Sequence, residues 1–513
     1  MKKSFIFKLM SIIVILILIM YFATPNIHIV LSQIDKEHYK HITIFYTNDI
    51  HGHIMLDQAN KTMGMAIVKR LMDKNSDHDS HPILLDAGDT FYGSNEADLN
   101  AGLPLIDIMN KMNYSVMTIG NHEFDFGFEQ TLKVIKKARF HILSANLNRG
   151  DQRIFKPYTI LNVNDIKIAV IGISTEDTLT RTKPEYVKGL TIRKDIETLK
   201  DILPELKGKS DFVILLAHEH NDALRNIAKY FPDIGLIIAG HDHEEIRFER
   251  VGNTYLTSSG VILRKLGKID IVFKNKKVIY INGQLLSSAN KKDQDQEIAA
   301  IADSYHRKIF EQLNIKVGMT NTDLTDLNRA RFEEVNFGNA LTDAMKEATG
   351  ADMALQNGGG IRTNIPKGDL TLYKINEAFP FVNFVIKVEM TGKGIKEALE
   401  HGLEKYPSEW NGGFLQVSGL KYEFDASKPS GQRLIRVFRG DKEIADDMLY
   451  TVATNDFLFQ GGDDHQAIKK SKLLWNTGLL IKDVFANYVK QKKVLNAHVE
   501  GRIKIINLNG GKR

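Results

Sequence analysis

The sequence predicts two α/β domains joined by a helix and preceded by an apolar leader. Three observations carry this. Five short apolar runs end in histidine, aspartate or asparagine, and segments with helical spacing alternate with them up to about residue 286. A charged stretch with helical spacing then separates these runs from a second set of strands and glycine-rich turns. At 513 residues the chain exceeds one ordinary core. Its composition, 43% hydrophobic and 26% charged, is that of a folded chain. The net charge of +5 is small for the length, and no basic stripe with interleaved aromatics marks a nucleic-acid polymer as partner. The absence of cysteine excludes disulfides, thiolate metal sites and a cysteine nucleophile. Any metal must therefore be held by His, Asp, Glu, Asn or Gln.

Residues 1–40 read as a leader. Lys2, Lys3 and Lys8 precede an apolar run from Leu9 to about Ala23, and Ile27 to Leu31 prolongs it. A basic start followed by an apolar core directs export. No clean small-residue cleavage site follows, so a signal peptide and a membrane-retained signal anchor both remain open.

Residues 41–290 form the first predicted domain. Ile42 to Tyr46 leads into Asn48-Asp49-Ile50-His51. Pro82 to Leu85 leads into Asp86-Ala87-Gly88-Asp89, and Val116 to Ile119 into Gly120-Asn121-His122-Glu123-Phe124-Asp125. Phe212 to Leu216 leads into Ala217-His218, and Ile234 to Ile238 into Ala239-Gly240-His241-Asp242-His243. In open α/β sheets ligands bind beyond the carboxyl ends of strands, so ends of one sheet can converge on one site. Gly120 is expected to permit a sharp turn. Ala66 to Met72 and Glu129 to Ala138 have helical spacing. Ile142 to Asn146 and Ile168 to Gly172 read as further strands, and Lys268 to Phe273 with Lys277 to Ile281 as a hairpin. The hairpin points to a mixed sheet or two packed sheets.

Residues 291–319 read as a linker helix, apolar at Ile298, Ile301, Ala302, Tyr305, Ile309 and Phe310, followed by a hinge at Val317-Gly318. Residues 320–513 form the second domain. A helix from Ala340 to Ala348 precedes a strand, Ala351 to Leu355, that enters Asn357-Gly358-Gly359-Gly360-Ile361-Arg362. Exposed glycine N–H groups beside an arginine fork suit carboxylate or phosphate. Tyr450 to Thr454 enters Asn455-Asp456-Phe457, with Gly461-Gly462-Asp463 just beyond, and Phe379-Pro380-Phe381 supplies a further aromatic corner. Two aromatics with nearby Arg, Asn and Asp can clamp a flat base.

Oxygen and imidazole donors at converging strand ends, with an imidazole that a carboxylate can orient, suit metal-assisted hydrolysis. Taken as a set, Asp49-x-His51, Gly88-Asp89, Gly120-Asn121-His122-Glu123, His218, Gly240-His241-x-His243, Asn357 to Arg362 and Gly461-Gly462-Asp463 resemble the 5'-nucleotidase family. The resemblance runs from about His41 to about Ile506. It implies an N-terminal layered calcineurin-like metallophosphoesterase domain, a C-terminal α/β nucleotide-binding domain, and two divalent metal ions (zinc, manganese, magnesium or cobalt). Asp49, His51 and His243 match ligands of the first ion, Asn121, His218 and His241 those of the second, and Asp89 the bridging carboxylate. His122 is similar to the catalytic histidine, oriented by Asp125. Arg331 and Arg362 match groups on the phosphate or ribose side, and Asn357 a group near base or sugar. Phe381 and Phe457 match the aromatics that sandwich the base, and Asp463 the residue that binds ribose hydroxyls. The implied activity is release of phosphate from nucleoside 5'-monophosphates, with di- and triphosphates as possible substrates. Cyclic 2',3'-nucleotides and nucleotide sugars stay open as substrates. A surface binding protein on the same scaffold is disfavoured, because none of the motif residues is missing.

Overall fold

The computed structural model describes residues 39–507, apart from 59–60, 77–81, 291–292, 325–328 and 409–410. The leader lies outside the described residues. Among those described, no helix is long and apolar enough to cross a membrane.

The apolar runs of the first domain become the inner strands of two six-stranded sheets. The first sheet is ordered Lys277–Leu286, Leu266–Lys274, Tyr39–Thr47, Ile83–Asp86, Val116–Thr118, His141–Leu143. The second is ordered Glu245–Val251, Thr254–Ser259, Leu236–Gly240, Phe212–His218, Ile166–Ser174, Tyr158–Val163. In the first sheet the four strands from Tyr39–Thr47 to His141–Leu143 are parallel, with the antiparallel pair Leu266–Lys274 and Lys277–Leu286 on one side. In the second the four inner strands are parallel and an antiparallel strand closes each edge. The strand ends that the sequence singles out therefore come from two packed sheets, three from one and two from the other.

Period-two alternation explains the packing. Ile42, Ile44 and Tyr46 face the second sheet, where Ile168, Ile214 and Ile238 meet them. Phe45, on the opposite face, packs under helices with Leu84 and Met117. Helices Met65–Asn75, Leu103–Lys111 and Gln296–Leu313 cover the first sheet, and Asp195–Leu206 and Asn221–Tyr230 cover the second. Both faces of each inner strand are thus dry, which is why these strands read as continuous apolar runs.

The second domain is built on a five-stranded sheet ordered Leu415–Ser418, Met353–Asn357, Leu449–Asn455, Phe384–Thr391, Lys472–Leu480. Helices Asn336–Thr349 and Ile481–Lys492 bury one face, and Gly392–Gly402 the other.

Helix Gln296–Leu313 starts at Asp295, whose carboxylate accepts from the Ile298 N–H. It buries Ile298 and Ala302 against the first domain. Val317 and Gly318, where the sequence suggests a hinge, follow directly on the linker helix. They lie in the strand Lys316–Thr320, which pairs with Gly368–Thr371 and Val494–Leu495 inside the second domain. Gly318 serves close packing, because a Cβ there would stand 2.6 Å from the Val489 side chain.

The linker helix also ties the domains together. His306 Nδ1 lies 2.7 Å from the Glu96 carboxylate, which accepts from the Tyr373 hydroxyl as well. The hydrogen bond to Glu96 raises the His306 pKa above its ordinary 6.5, against a smaller lowering by burial. A raised histidine contributes stability that is fully present below its unfolded-state pKa and lost as pH rises through the folded value. The thermal destabilisation caused by His306→Gln is therefore expected to be largest below about pH 6 and to shrink on the alkaline side. Unfolding curves of both proteins across pH check this. A difference that grows with pH would contradict it.

Candidate active site

The strand ends of the first domain deliver their side chains to one point. His51 Nε2 lies 3.1 Å from His243 Nε2, and His243 Nε2 lies 3.4 Å from Asp49 Oδ1. Beside this group, Asp89 Oδ2 lies 3.0 Å from His218 Nε2, and Asn121 Oδ1 lies 3.2 Å from His218 Nε2 and 3.1 Å from His241 Nδ1. Each of the sets Asp49–His51–His243, His51–Asp89–His122 and Asp89–His218–His241 brings its ligand atoms within 4.8 Å of one another. Asp89 belongs to two of them. All seven residues predicted as metal ligands are therefore in one buried cluster.

The backbone at these positions is unusual. Asp49, His51, Asp89, His241 and His243 all have positive φ, between 48° and 89°. Non-glycine residues adopt this region rarely, and such strain gathers at functional sites. The glycines at the strand ends make room for it. A Cβ on Gly120 would stand 2.3 Å from Asp89 Oδ1, and one on Gly240 would stand 2.6 Å from the Ala87 carbonyl. Gly120 does not have a positive φ, so close approach, not turning, requires glycine there.

The donor set fits divalent cations. Burial, followed by repulsion from neighbouring cations, holds His51 and His243 well below the usual histidine range, so both are neutral, as ligation requires. His218 donates its Nδ1–H to the Ala87 carbonyl at 2.8 Å, which aims Nε2 at Asp89 and Asn121. Burial lowers its pKa, but the Asp89 and Asp49 carboxylates outweigh it and push it up to about 10, so ligation through Nε2 has to displace a proton. His241 donates its Nε2–H to Asp177 at 3.0 Å, which leaves Nδ1 facing Asn121. Burial, with repulsion from Asp89, pushes Asp49 up to about 8 against the pull of His218. A dication beside these carboxylates relieves that frustration.

His122 differs from its neighbours. Its Nδ1–H donates to Asp125 Oδ2 at 2.8 Å, and its backbone N–H donates to Asp89 Oδ1 at 2.7 Å. Burial alone lowers its pKa, but the Asp125 and Asp89 carboxylates outweigh it and hold the imidazole above its ordinary value. Burial raises Asp125 too, so the pair retains a proton between its members. A protonated imidazole donates and does not ligate.

A cleft of about 790 Å³, partly open to solvent, joins this cluster to the second domain. Asp89, Asn121, His122, His241 and His243 line one wall, and Arg331, Asn357, Arg362, Phe381, Phe457 and Asp463 line the other. All six predicted substrate residues are thus brought together. Phe381 stacks on His122 with ring centroids 5.7 Å apart and an interplanar angle of 20°. Arg362 lies over the Phe381 ring at 5.5 Å, with a guanidinium nitrogen 3.4 Å from His51 Nε2. Asn357 donates to Asp463 at 2.8 Å, and Asp463 also has a positive φ of 50°. Lys183 of the first domain meets Asp456 of the second at 2.8 Å. The domains therefore touch directly across the site.

Residues 42–245 match the calcineurin-like phosphoesterase family, and residues 316–470 match the 5'-nucleotidase C-terminal domain. Over 518 aligned residues the chain is 32% identical to the trifunctional nucleotide phosphoesterase protein YfkN of Bacillus subtilis (strain 168), covering 90% of this chain. The chain belongs to the 5'-nucleotidase family. It is a metallophosphoesterase of that family and a hydrolase. It spans only 35% of the length of YfkN. It is 29% identical to a 5'-nucleotidase of Vibrio cholerae serotype O1, with 89% of this chain and 91% of that protein aligned. The crystal structure of a 5'-nucleotidase precursor from Thermus thermophilus superposes with a TM-score of 0.84 at 27% identity, covering 91% of this chain and all of that one.

Two carboxylates in this family member escape a reading of strand ends alone. Glu123 accepts from the backbone N–H groups of Asp89, Thr90, Phe91 and Gly120 at 2.6–3.1 Å. It braces the loops that carry Asp89 and Asn121. Asp177 takes hydrogen bonds from His241 and His220, both at 3.0 Å, and pairs with Arg181 at 2.7 Å. Despite burial, these partners hold its carboxyl far below the usual range. The signal was present in the sequence: the strand Ile166–Ser174 also ends in carboxylates, at Glu176 and Asp177. Asp177→Ala removes the acceptor that fixes the His241 tautomer. Loss of such a partner typically weakens metal affinity about 10–100-fold. Metal titration followed by calorimetry is expected to show that loss with the fold intact, and unchanged affinity would leave Asp177 without this role.

Proposed function

We propose that this protein is an exported, metal-dependent phosphohydrolase that releases phosphate from nucleoside 5'-monophosphates. The observation that carries the reading is the single cleft shared by the His/Asp/Asn cluster, His122 and the aromatic, arginine and aspartate groups of the second domain. Asp49, His51 and His243 would hold one divalent ion, and Asn121, His218 and His241 another, with Asp89 between them. When bound, such ions supply Lewis-acid polarisation of a phosphoryl oxygen and a lowered pKa for water.

The remaining work falls to the chain's own side chains. His122, kept charged by Asp125, presents its free Nε2–H to the negative charge that develops on phosphoryl oxygen. Arg362 and Arg331 orient the phosphate side, the guanidinium of Arg362 offering a planar fork. Phe381 and Phe457 would hold the base, and Asp463 would accept from ribose hydroxyls, with Asn357 fixing its carboxylate. Because Phe381 packs on His122, a bound nucleotide would displace Phe381 from that imidazole, and relative motion of the two domains would supply the displacement. Such motion is the default for domains without a large apolar interface.

Phosphate release from AMP, measured with and without manganese, zinc or magnesium, tests the reading. Metal-dependent release is expected. Release only from cyclic nucleotides or nucleotide sugars would replace the substrate and keep the site, a direction the broad activity in the name of the Bacillus relative also supports. No hydrolysis of any ester with any of the metals would overturn the proposal.

A further inference from the structure

The strand Lys472–Leu480 forms one edge of the five-stranded sheet, and none of its nine residues is buried. Its neighbour, Phe384–Thr391, buries Val385, Ile386, Val388 and Met390, as a sheet interior requires. Leu473, Leu474, Trp475 and Leu479 stand 41–48% exposed along this edge. Contiguous large apolar side chains on a surface mark an interaction site, whereas scattered ones do not. The same edge is basic. Lys469 and Lys470 are exposed just before it, and Lys472 keeps 72% exposure although it lies 3.3 Å from Glu389.

We propose that this edge is a docking surface for an anionic phospholipid bilayer. The combination fits a lipid interface: a tryptophan and leucines to enter the boundary between headgroups and acyl chains, and lysines whose stems reach back to the phosphates. A second copy of the chain fits it less well. Strand addition needs a regular edge, and the pairing of this strand with Phe384–Thr391 is interrupted twice, between Phe384 and Ile386 and between Lys387 and Val388. Such irregularities and edge lysines are what keep exposed strands from pairing with one another. The surface is independent of the catalytic cleft, none of whose lining residues it contains.

Trp475 makes the test local. The sequence has two tryptophans, so Trp410→Phe leaves Trp475 as the only reporter in the full chain. Its fluorescence is followed with phosphatidylglycerol vesicles carrying brominated acyl chains and with phosphatidylcholine vesicles brominated in the same way. Quenching on the anionic vesicles is expected, with little on the zwitterionic ones. Replacing Lys469, Lys470 and Lys472 together by glutamine is expected to weaken anionic-vesicle binding at this edge by roughly a hundredfold. The difference between the natural chain and Trp475→Phe gives the same reading if Trp410→Phe fails to fold. Absence of quenching on both vesicles, or equal quenching on both, overturns the proposal. So does an emission already shifted to short wavelength without vesicles, which would show the edge covered by another part of the chain or by a second copy.

Discussion

His122→Ala is expected to lower the turnover of AMP by about two to three orders of magnitude and to leave the bound metal content unchanged. The two halves of this expectation come from different contacts. The imidazole is oriented by Asp125 at 2.8 Å, and against the lowering by burial its pKa is held above the ordinary value by Asp125 and Asp89. It is therefore poised to donate to developing negative charge, and its removal takes away an interaction stronger in the transition state than in the ground state. The imidazoles of His51, His243 and His241 have the opposite electrostatics, being held low by burial. His218, against burial, is raised like His122, by Asp89 and Asp49, so the assignment of His122 rests also on its Nδ1 being taken by Asp125. His122 does stand close enough to His51 and Asp89 to complete a ligand set. Elemental analysis alongside kinetics separates the roles. A metal content that falls together with turnover would make His122 a ligand and refute its assignment as a donor.

The metal cluster was legible in the sequence because its chemistry sits at fixed places. Asp49, Asp89, Asn121, His218 and His241 each follow within a few residues of an apolar run, and a run buried on both faces announces itself without a partner strand. What the sequence does not display is how those runs divide between sheets. Ile44 and Ile214 look alike as strand residues, yet they face each other from opposite sheets. Glycine was the least reliable guide. Gly318 reads as a hinge and Gly120 as a turn, and both are also required by close packing, against Val489 and Asp89 respectively. A glycine needed for space and one needed for a positive φ look the same in one dimension. Asp177 was missed for a related reason. Its partners His220 and His241 come from other loops, and only the fold shows that three side chains meet.

Asp89→Asn should have the largest effect of any single substitution at the site. Asp89 takes part in two of the ligand sets, contacts His218 at 3.0 Å and accepts the backbone N–H of His122 at 2.7 Å. It is the one carboxylate placed to serve both halves of the cluster. Asparagine keeps its shape and is among the residues that tolerate its positive φ of 56°. Glu123 continues to hold the backbone N–H of residue 89, so the loop is expected to stay in place. What is lost is charge. An amide in place of the shared carboxylate removes one negative charge from between the proposed cations and turns an N–H₂ toward one of them. Transition-state stabilisation by a metal site amounts to several kcal/mol. At about 1.4 kcal/mol per factor of ten, turnover is expected to fall roughly a thousandfold or more. The second readout does not depend on activity. A ligand that binds the folded state raises the unfolding temperature, and tighter binding raises it further. The rise caused by manganese or zinc in the natural chain should therefore shrink in Asp89→Asn, while the metal-free proteins unfold at similar temperatures. Equal metal-induced stabilisation in the two proteins would place the bridging charge elsewhere, and Asp49, the other carboxylate among the proposed ligands, would take its place.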